Sequence, residues 1–138
     1  MEDFFINHPN NIIESNMTNQ ILKDSNSIFF HKSLKEYKKS KLHHLSSLAK
    51  FLNVSNIYVQ DESSRFGLKA FKGLGASYAL HRILKKNSNV SVFCTASDGN
   101  HGRALAWSAK IYKKKCVVFV PSDVSDSRIK AIVDEGAI

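Results

Sequence analysis

Residues 92–121 constrain the fold of this chain more than any other stretch, because they read as strand, turn, helix and strand. The first strand, VFCT, is rich in β-branched and aromatic residues, and the second strand begins at Cys116. Residues that favour turns or helix N-caps follow the first strand at once: Ser97, Asp98, Gly99 and Asn100. This order predicts a βαβ unit, in which a right-handed crossover helix joins two parallel strands.

The turn at residues 97–102 is the predicted ligand site of this unit. Ligands of open parallel sheets bind at the carboxyl ends of the strands, where this turn lies. Its backbone N–H groups, at a helix N-terminus, could supply a cradle for a carboxylate. From the residues alone, however, capping of the helix by Ser97 and Asp98 is the favoured interpretation.

The composition is that of one modest domain. The chain has 138 residues, 43% of them hydrophobic, and no run of about 20 apolar residues that could span a membrane. Glu2 and Asp3 stand where a secretory signal would carry lysines, so we predict a cytoplasmic protein. Cys94 and Cys116 lie in predicted buried strands without a CxxC pair, which favours reduced packing residues over a disulfide or a metal site.

The formal charge of +8 does not by itself indicate nucleic-acid binding. The lysines occur in short groups at predicted helix ends, and no basic stripe is interleaved with aromatic residues. We therefore predict neither a nucleic-acid partner nor a membrane partner.

The first half of the chain predicts an arm followed by a helix. Residues 1–30 are rich in asparagine and are predicted to form a poorly ordered arm, so that an incomplete domain occupies residues 31–138. Leucines at helical spacing predict a helix over residues 42–52, on which the adjacent His43 and His44 are exposed rather than metal ligands.

A strand over residues 56–60 and a helix over residues 73–86 are predicted next, the helix with Leu74, Tyr78 and Ile83 facing inward. Lys72 lies at the start of this helix, where its charge meets the positive end of the helix dipole. That placement favours an amine that is neutral or condensed with a carbonyl group, although a surface lysine is the favoured interpretation of this residue taken alone.

The last segment predicts one more helix and the start of a strand. Ser122 is a plausible N-cap after Pro121, and the apolar residues that follow indicate an amphipathic helix that buries Ile129, Ile132 and Val133 and ends at Gly136. Residues 137–138 are predicted to begin the next parallel strand, so the sheet is expected to continue beyond them.

Two stretches together, DESSRFGLKAFKGLGASYA (61–79) and TASDGNHGRALAW (95–107), resemble the diaminopropionate ammonia-lyases. These are fold type II pyridoxal-phosphate enzymes, related to tryptophan synthase β and to threonine dehydratase. The resemblance implies a partial three-layer α/β fold, tryptophan synthase β-like, with a parallel sheet and flanking helices, truncated after about the first third. It also implies pyridoxal 5'-phosphate as cofactor, a small amino acid as substrate and a homodimer at full length.

The resemblance also implies roles for individual residues. The lysine of the family's AFK motif binds the cofactor covalently, which places that role on Lys72. The DGNHG turn lies against the cofactor ring, which implies cofactor contacts for Gly99, Asn100 and His101. Substrate contacts fall to Ser97 and Asp98. Asp98 corresponds to an aspartate thought to act as a second base, on the face opposite the lysine, so that both substrate enantiomers can be deprotonated.

The reaction implied is α,β-elimination of 2,3-diaminopropionate to pyruvate and two molecules of ammonia. The glycine-rich loop that holds the cofactor phosphate in this family lies far downstream and is not in these 138 residues. The chain alone is therefore expected to bind the cofactor weakly or not at all. Three alternatives stay open: a threonine or serine dehydratase, an inactive truncated relic, and a nucleotide-binding module, against which the spacing of SDGNHG speaks.

Overall fold

The computed structural model describes residues 26–138. Its helices and strands, in chain order, are α1 Asn26–Ser33, β1 Lys41–His44, α2 Ser46–Phe51, β2 Tyr58–Asp61, a 3-10 turn Arg65–Gly67, α3 Lys72–Lys86, β3 Val92–Ala96, α4 Asn100–Ile111, β4 Lys115–Phe119 and α5 Asp126–Val133. Of the arm predicted for residues 1–30, residues 1–25 lie outside the described residues. Residues 26–30, the last part of that predicted arm, belong to α1.

The βαβ unit predicted for residues 92–121 is confirmed. Strands β3 and β4 pair in parallel, with Val92 opposite Lys115 and Ala96 opposite Phe119. The prediction that a further strand begins at the end of the described chain is also confirmed. The Ile138 N–H donates to Cys116 O and the Ile138 carbonyl accepts from the Val118 N–H, both at 2.9 Å, which places Ile138 beside β4.

Helix α4 covers one face of this sheet and forms the centre of the core. Its small residues Ala106 and Ala109 are at most 1% exposed and let the helix approach Phe93 and Cys116 of the two strands. Leu80 of α3 and other apolar residues complete the cluster: Leu105, Ile132 and Ala137. Helix α4 therefore packs against the sheet and also against α3 and α5.

The opposite face of the sheet is exposed within residues 26–138. Val92 is 45% and Phe119 is 63% exposed on that face, and Cys94 is exposed beside them. The prediction that Cys94 is buried is therefore wrong, whereas Cys116, on the covered face, is 1% exposed. Strands of parallel sheets are apolar on both sides, so their sequence does not show which face the described residues cover.

The helix predicted over residues 42–52 is wrong in its first half. Residues Lys41–His44 form β1, which pairs antiparallel with β2, and only Ser46–Phe51 are helical. Pairing with a distant strand overrides the local helical spacing of the leucines here. His43 and His44 then lie on a strand, where His43 Nε2 is 3.8 Å from Asp61 Oδ2 and His44 Nε2 is 3.0 Å from Asn56 Oδ1.

Two further details differ from the predictions. Helix α5 begins at Asp126 with Ser125 as its N-cap, not Ser122, because a turn closed by the Val124 N–H and the Pro121 carbonyl occupies residues 121–124. Ile83 and Val133 are exposed, and α3 instead buries Ala76, Ser77 and Leu80 among others. None of the helices described is long and apolar enough to cross a membrane.

Two glycines of α3 provide a matched test of how tightly this helix packs at its first turn. A Cβ atom on Gly73 would lie 2.9 Å from Phe66 Cδ2 and 3.0 Å from Leu68 Cδ1, whereas one on Gly75 would meet nothing within 4 Å. We expect Gly73→Ala to lower the free energy of unfolding by ~1–3 kcal/mol through overpacking. Gly75→Ala should instead raise it by ~0.5–1 kcal/mol, since alanine favours the helix. Denaturant unfolding of both variants measures the difference, and equal shifts would contradict the close packing.

Candidate active site

A cavity of about 480 Å³ lies where β3 ends and the first turns of α3 and α4 meet α5. The residues that line it are Lys72, Ser97, Asp98, Gly99, Asn100, His101, Arg103, Arg128, Ala131 and Ile132. Every residue that the sequence predicts as a site residue is in this set. The structure thus brings Lys72 together with the turn at residues 97–102, although they lie far apart in the sequence.

Ser97 caps helix α4. Its Oγ accepts hydrogen bonds from the Gly102 N–H at 2.9 Å and from the Gly99 N–H at 3.2 Å. A Cβ atom on Gly102 would lie 2.7 Å from Val118 Cγ1 and 3.2 Å from Ser97 Cβ. A residue without a side chain is therefore needed where the helix starts directly against the strands.

The first two residues of α4 line the cavity, and within residues 26–138 their backbone N–H groups have no protein acceptor. Among residues 26–138, the backbone N–H groups of Asn100 and His101 make no hydrogen bond to another residue, since the bonds to Ser97 come from Gly99 and Gly102. Free N–H groups and the positive end of a helix dipole favour an anionic group at this position.

Asp98 does not cap the helix. Its side chain is 71% exposed, and Oδ2 lies 3.8 Å from Arg128 Nη1 of α5. An ion pair this long and this exposed contributes only about 0–1 kcal/mol to stability. The carboxylate is therefore free to accept a proton or to bind a cationic group in the cavity.

Lys72 is the first residue of α3 and presents its amine at the cavity. The side chain is exposed, and Nζ lies 5.2 Å from the centroid of the Phe71 ring. In the described part of the chain no carboxylate forms an ion pair with it. Within residues 26–138, no residue buries this side chain.

The turn before Lys72 has an unusual backbone. Phe66 and Lys69, with φ of 50° and 56°, adopt the left-handed region that favours glycine, and Gly67 between them has φ of 70°. Phe66 is 4% exposed and stacks on Trp107 of α4 with ring centroids 4.6 Å apart. Such backbone persists only where packing holds it in place.

Arg65 anchors the start of this turn. It is 6% exposed, donates to Glu62 Oε2 at 2.6 Å and to Lys38 O at 2.7 Å, and lies 5.6 Å from the centroid of the Tyr37 ring. The hydrogen bond from Arg65 holds the pKa of Glu62 below its ordinary value. This network fixes the chain upstream of the lysine.

Sequence reasoning missed two arginines in the cavity wall, Arg103 and Arg128. Arg103 lies three residues after Asn100, on the same side of α4, so the helical period already placed it near the site. Arg128 belongs to a helix whose start was predicted too early, and its distance from the turn could not be read from the sequence.

Comparison with known proteins assigns this chain to a family. The model of a family described as pyridoxal-phosphate dependent enzyme matches residues 34–138. The chain belongs to this family. Within it, the chain is 40% identical over 129 residues to diaminopropionate ammonia-lyase from Salmonella typhimurium, a match that covers 78% of this chain and 32% of that protein. The chain thus spans about a third of the length of the curated diaminopropionate ammonia-lyases it matches.

Other family members are similar over shorter stretches or in structure. A biosynthetic L-threonine dehydratase from Staphylococcus epidermidis is 30% identical over 77 residues, which cover 56% of this chain and 18% of the dehydratase. The crystal structure of Escherichia coli diaminopropionate ammonia lyase in apo form superposes with a TM-score of 0.77 at 36% identity, over 80% of this chain and 33% of that one. The α/β fold expected from the sequence, fold type II, is therefore confirmed.

The cavity residues fit the cofactor after which this family is named. An aldehyde needs a primary amine, which Lys72 presents, and the polar turn of residues 97–102 lines the same cavity. The cavity volume falls in the range of small-molecule sites. No three His, Cys, Asp or Glu side chains within residues 26–138 come together as a metal site would need.

Proposed function

We propose that the complete protein that carries this chain is a pyridoxal-phosphate dependent ammonia-lyase that converts 2,3-diaminopropionate and water to pyruvate and two molecules of ammonia. The observation that carries the proposal is the shared cavity of Lys72 and Asp98, one amine and one carboxylate, beside the free N–H groups of α4. The 40% identity to a diaminopropionate ammonia-lyase supports this choice of substrate.

Lys72 would attach the cofactor through Nζ, and Gly99, Asn100 and His101 would lie along its ring. When bound, pyridoxal phosphate supplies a conjugated ring that takes up the electrons left on the substrate Cα after proton loss. The left-handed turn at residues 66–69 and the close packing of Gly73 hold the lysine at the cavity edge.

Proton transfer would be divided between the two titratable groups. The Lys72 amine would remove the substrate α-proton on one face. The Asp98 carboxylate, held loosely by Arg128, serves the other face and can also bind the ammonium group at the substrate β-carbon. Two bases would let both enantiomers react.

The substrate carboxylate would bind at the start of α4. The N–H groups of Asn100 and His101 have no described acceptor, and Ser97 keeps a hydroxyl hydrogen to donate while its oxygen caps the helix. A carboxylate held there would bring the substrate Cα into the cavity that Lys72 and Asp98 both line. A carboxylate at this site also satisfies the helix dipole.

The test is a substrate panel with the complete purified protein and added pyridoxal phosphate. We expect pyruvate and ammonia from 2,3-diaminopropionate in a one-to-two ratio. Release of 2-oxobutanoate from threonine, or of pyruvate and ammonia from serine in equal amounts, without activity on diaminopropionate would favour a dehydratase instead. The match to L-threonine dehydratase makes this second candidate the one to compare. Absence of all three activities would contradict the proposal.

Two further parts of the proposal concern the protein as a whole. We infer that it is a homodimer that acts in the cytoplasm on small amino acids. Both cysteines are free, which suits a reducing compartment. The division of the chain into an arm over residues 1–30 and an incomplete catalytic domain over residues 31–138 stays a prediction.

A further inference from the structure

Arg103 links the two walls of the cavity, and we propose that it is a positioning residue that holds the turn leading to Lys72 against helix α4. Its catalytic consequence rests on the proposed function, whereas the contact itself does not. The side chain is 25% exposed and borders the cavity one helical turn after Asn100. It therefore belongs to the helix that carries one half of the site and reaches the segment that carries the other half.

The guanidinium of Arg103 binds two separate segments at once and so links both of them to α4. Nη1 donates to Leu68 O at 3.1 Å and Nη2 to Gly67 O at 3.5 Å, both in the turn before Lys72. Nε and Nη2 donate to Glu135 Oε1 at 3.1 and 2.9 Å, just beyond α5. A rigid fork of donors suits this task, and the shorter, flexible ammonium of a lysine could not reach all these acceptors.

The turn that Arg103 contacts is the strained one. Phe66 and Lys69 adopt left-handed backbone without being glycine, so the turn needs outside contacts to keep its shape. Phe66 stacks on Trp107, and Leu68, only 3% exposed, has its carbonyl paired by Arg103. Loss of the arginine would leave that carbonyl without its protein donor inside the fold.

A shift of this turn would move the lysine. Lys72 follows Leu68 by four residues, and α3 begins at Lys72 itself. The position of the first turn of the helix therefore depends on the position of the turn at residues 66–69. Misplacement of a reacting group by about 1 Å can cost ~10²-fold in rate. Arg103 thus sets where the amine stands relative to Asp98 and the start of α4.

The first test measures hydrogen–deuterium exchange at the backbone amides of residues 66–69 in the complete protein without cofactor. We expect ~10-fold faster exchange in Arg103→Gln, because opening of the turn becomes easier. Glu135→Gln is the matched control, since it removes the ion-pair charge but keeps an acceptor and both bonds to the turn, so its exchange should stay within ~2-fold of wild type. Unchanged exchange in Arg103→Gln, or equal acceleration in Glu135→Gln, would overturn the inference.

The second test measures the reactivity of Lys72 in the same variants. The protein is mixed with pyridoxal phosphate, the adduct is trapped with borohydride, and the modified lysine is located by mass spectrometry. We expect the labelling rate of Lys72 to fall ~10-fold in Arg103→Gln and to stay unchanged in Glu135→Gln. A general loss of stability would instead change the labelling rate in both variants. If Arg103→Gln does not fold, Arg103→Lys should show the same direction at ~3-fold in both tests, and no change in it would reject the role.

The two tests separate the two ideas. Failure of wild-type Lys72 to be labelled in preference to other lysines would contradict the proposed function. Exchange at residues 66–69 would still decide whether Arg103 holds the turn, because that measurement needs no cofactor.

Discussion

Replacement of Lys72 by alanine in the complete protein is expected to remove the visible absorbance of bound pyridoxal phosphate and to lower turnover by at least ~10³-fold. Lys72 presents the amine of the cavity from the first position of α3, beside the turn of residues 97–102. On the proposed function, the cofactor would then lack its covalent attachment and the substrate would lack its base on that face. Absorbance spectra and rates of pyruvate release measure the two effects.

Lys86→Ala is the matched control for this experiment, because it removes a lysine from the other end of the same helix. Its spectrum and turnover should match those of the wild-type protein. A Lys72→Ala protein that keeps both the absorbance and the turnover would remove this lysine from the mechanism. Folding of the variant is checked by its unfolding transition, which should be little changed since the side chain is exposed.

The second large effect is expected for Asp98→Asn, measured separately with the two enantiomers of 2,3-diaminopropionate. Elimination from one enantiomer should fall by ~10²–10⁴-fold, because an amide cannot accept the α-proton. Elimination from the other enantiomer should change much less, since Lys72 is proposed to accept the α-proton on that face. The geometry behind this expectation is an exposed carboxylate that neither caps α4 nor forms a tight ion pair.

Asp123→Asn provides the comparison. Asp123 is an exposed aspartate near Arg128, but it does not line the cavity that contains Lys72. It should leave the rates for both enantiomers within a few-fold of wild type. Equal losses for the two enantiomers in Asp98→Asn would instead assign the aspartate to binding rather than to proton transfer. No loss at all would remove it from the proposed site.

The sequence predicted the part of the fold that depends on consecutive residues. The βαβ unit at residues 92–121 follows from two apolar runs with capping residues between them, and the structure has that order and parallel pairing. The turn at residues 97–102 was predicted as a ligand site because it follows a buried strand, whereas the roles of its individual residues came from the resemblance to a family. Lys72 was identified as reactive only through the resemblance to a family.

Errors arose where distant contacts decide the structure. Lys41–His44 are strand because they pair with Tyr58–Asp61, a partner that helical spacing cannot show. Cys94 is exposed because described residues cover one face of an apolar strand. Arg103 was missed because it donates to backbone carbonyl groups of residues 67 and 68. Every residue has a backbone carbonyl, so the sequence does not show which ones an arginine binds.

The stacking of Phe66 on Trp107 places a natural fluorophore against the left-handed turn. Trp107 is the single tryptophan of these 138 residues, and it is 9% exposed beside Phe66. Indole emission depends on the polarity and contacts around the ring, so departure of the turn from α4 would shift the emission toward that of a hydrated indole. Fluorescence of Trp107 can therefore follow, in real time and without an added label, whether the segment that leads to Lys72 is seated on α4.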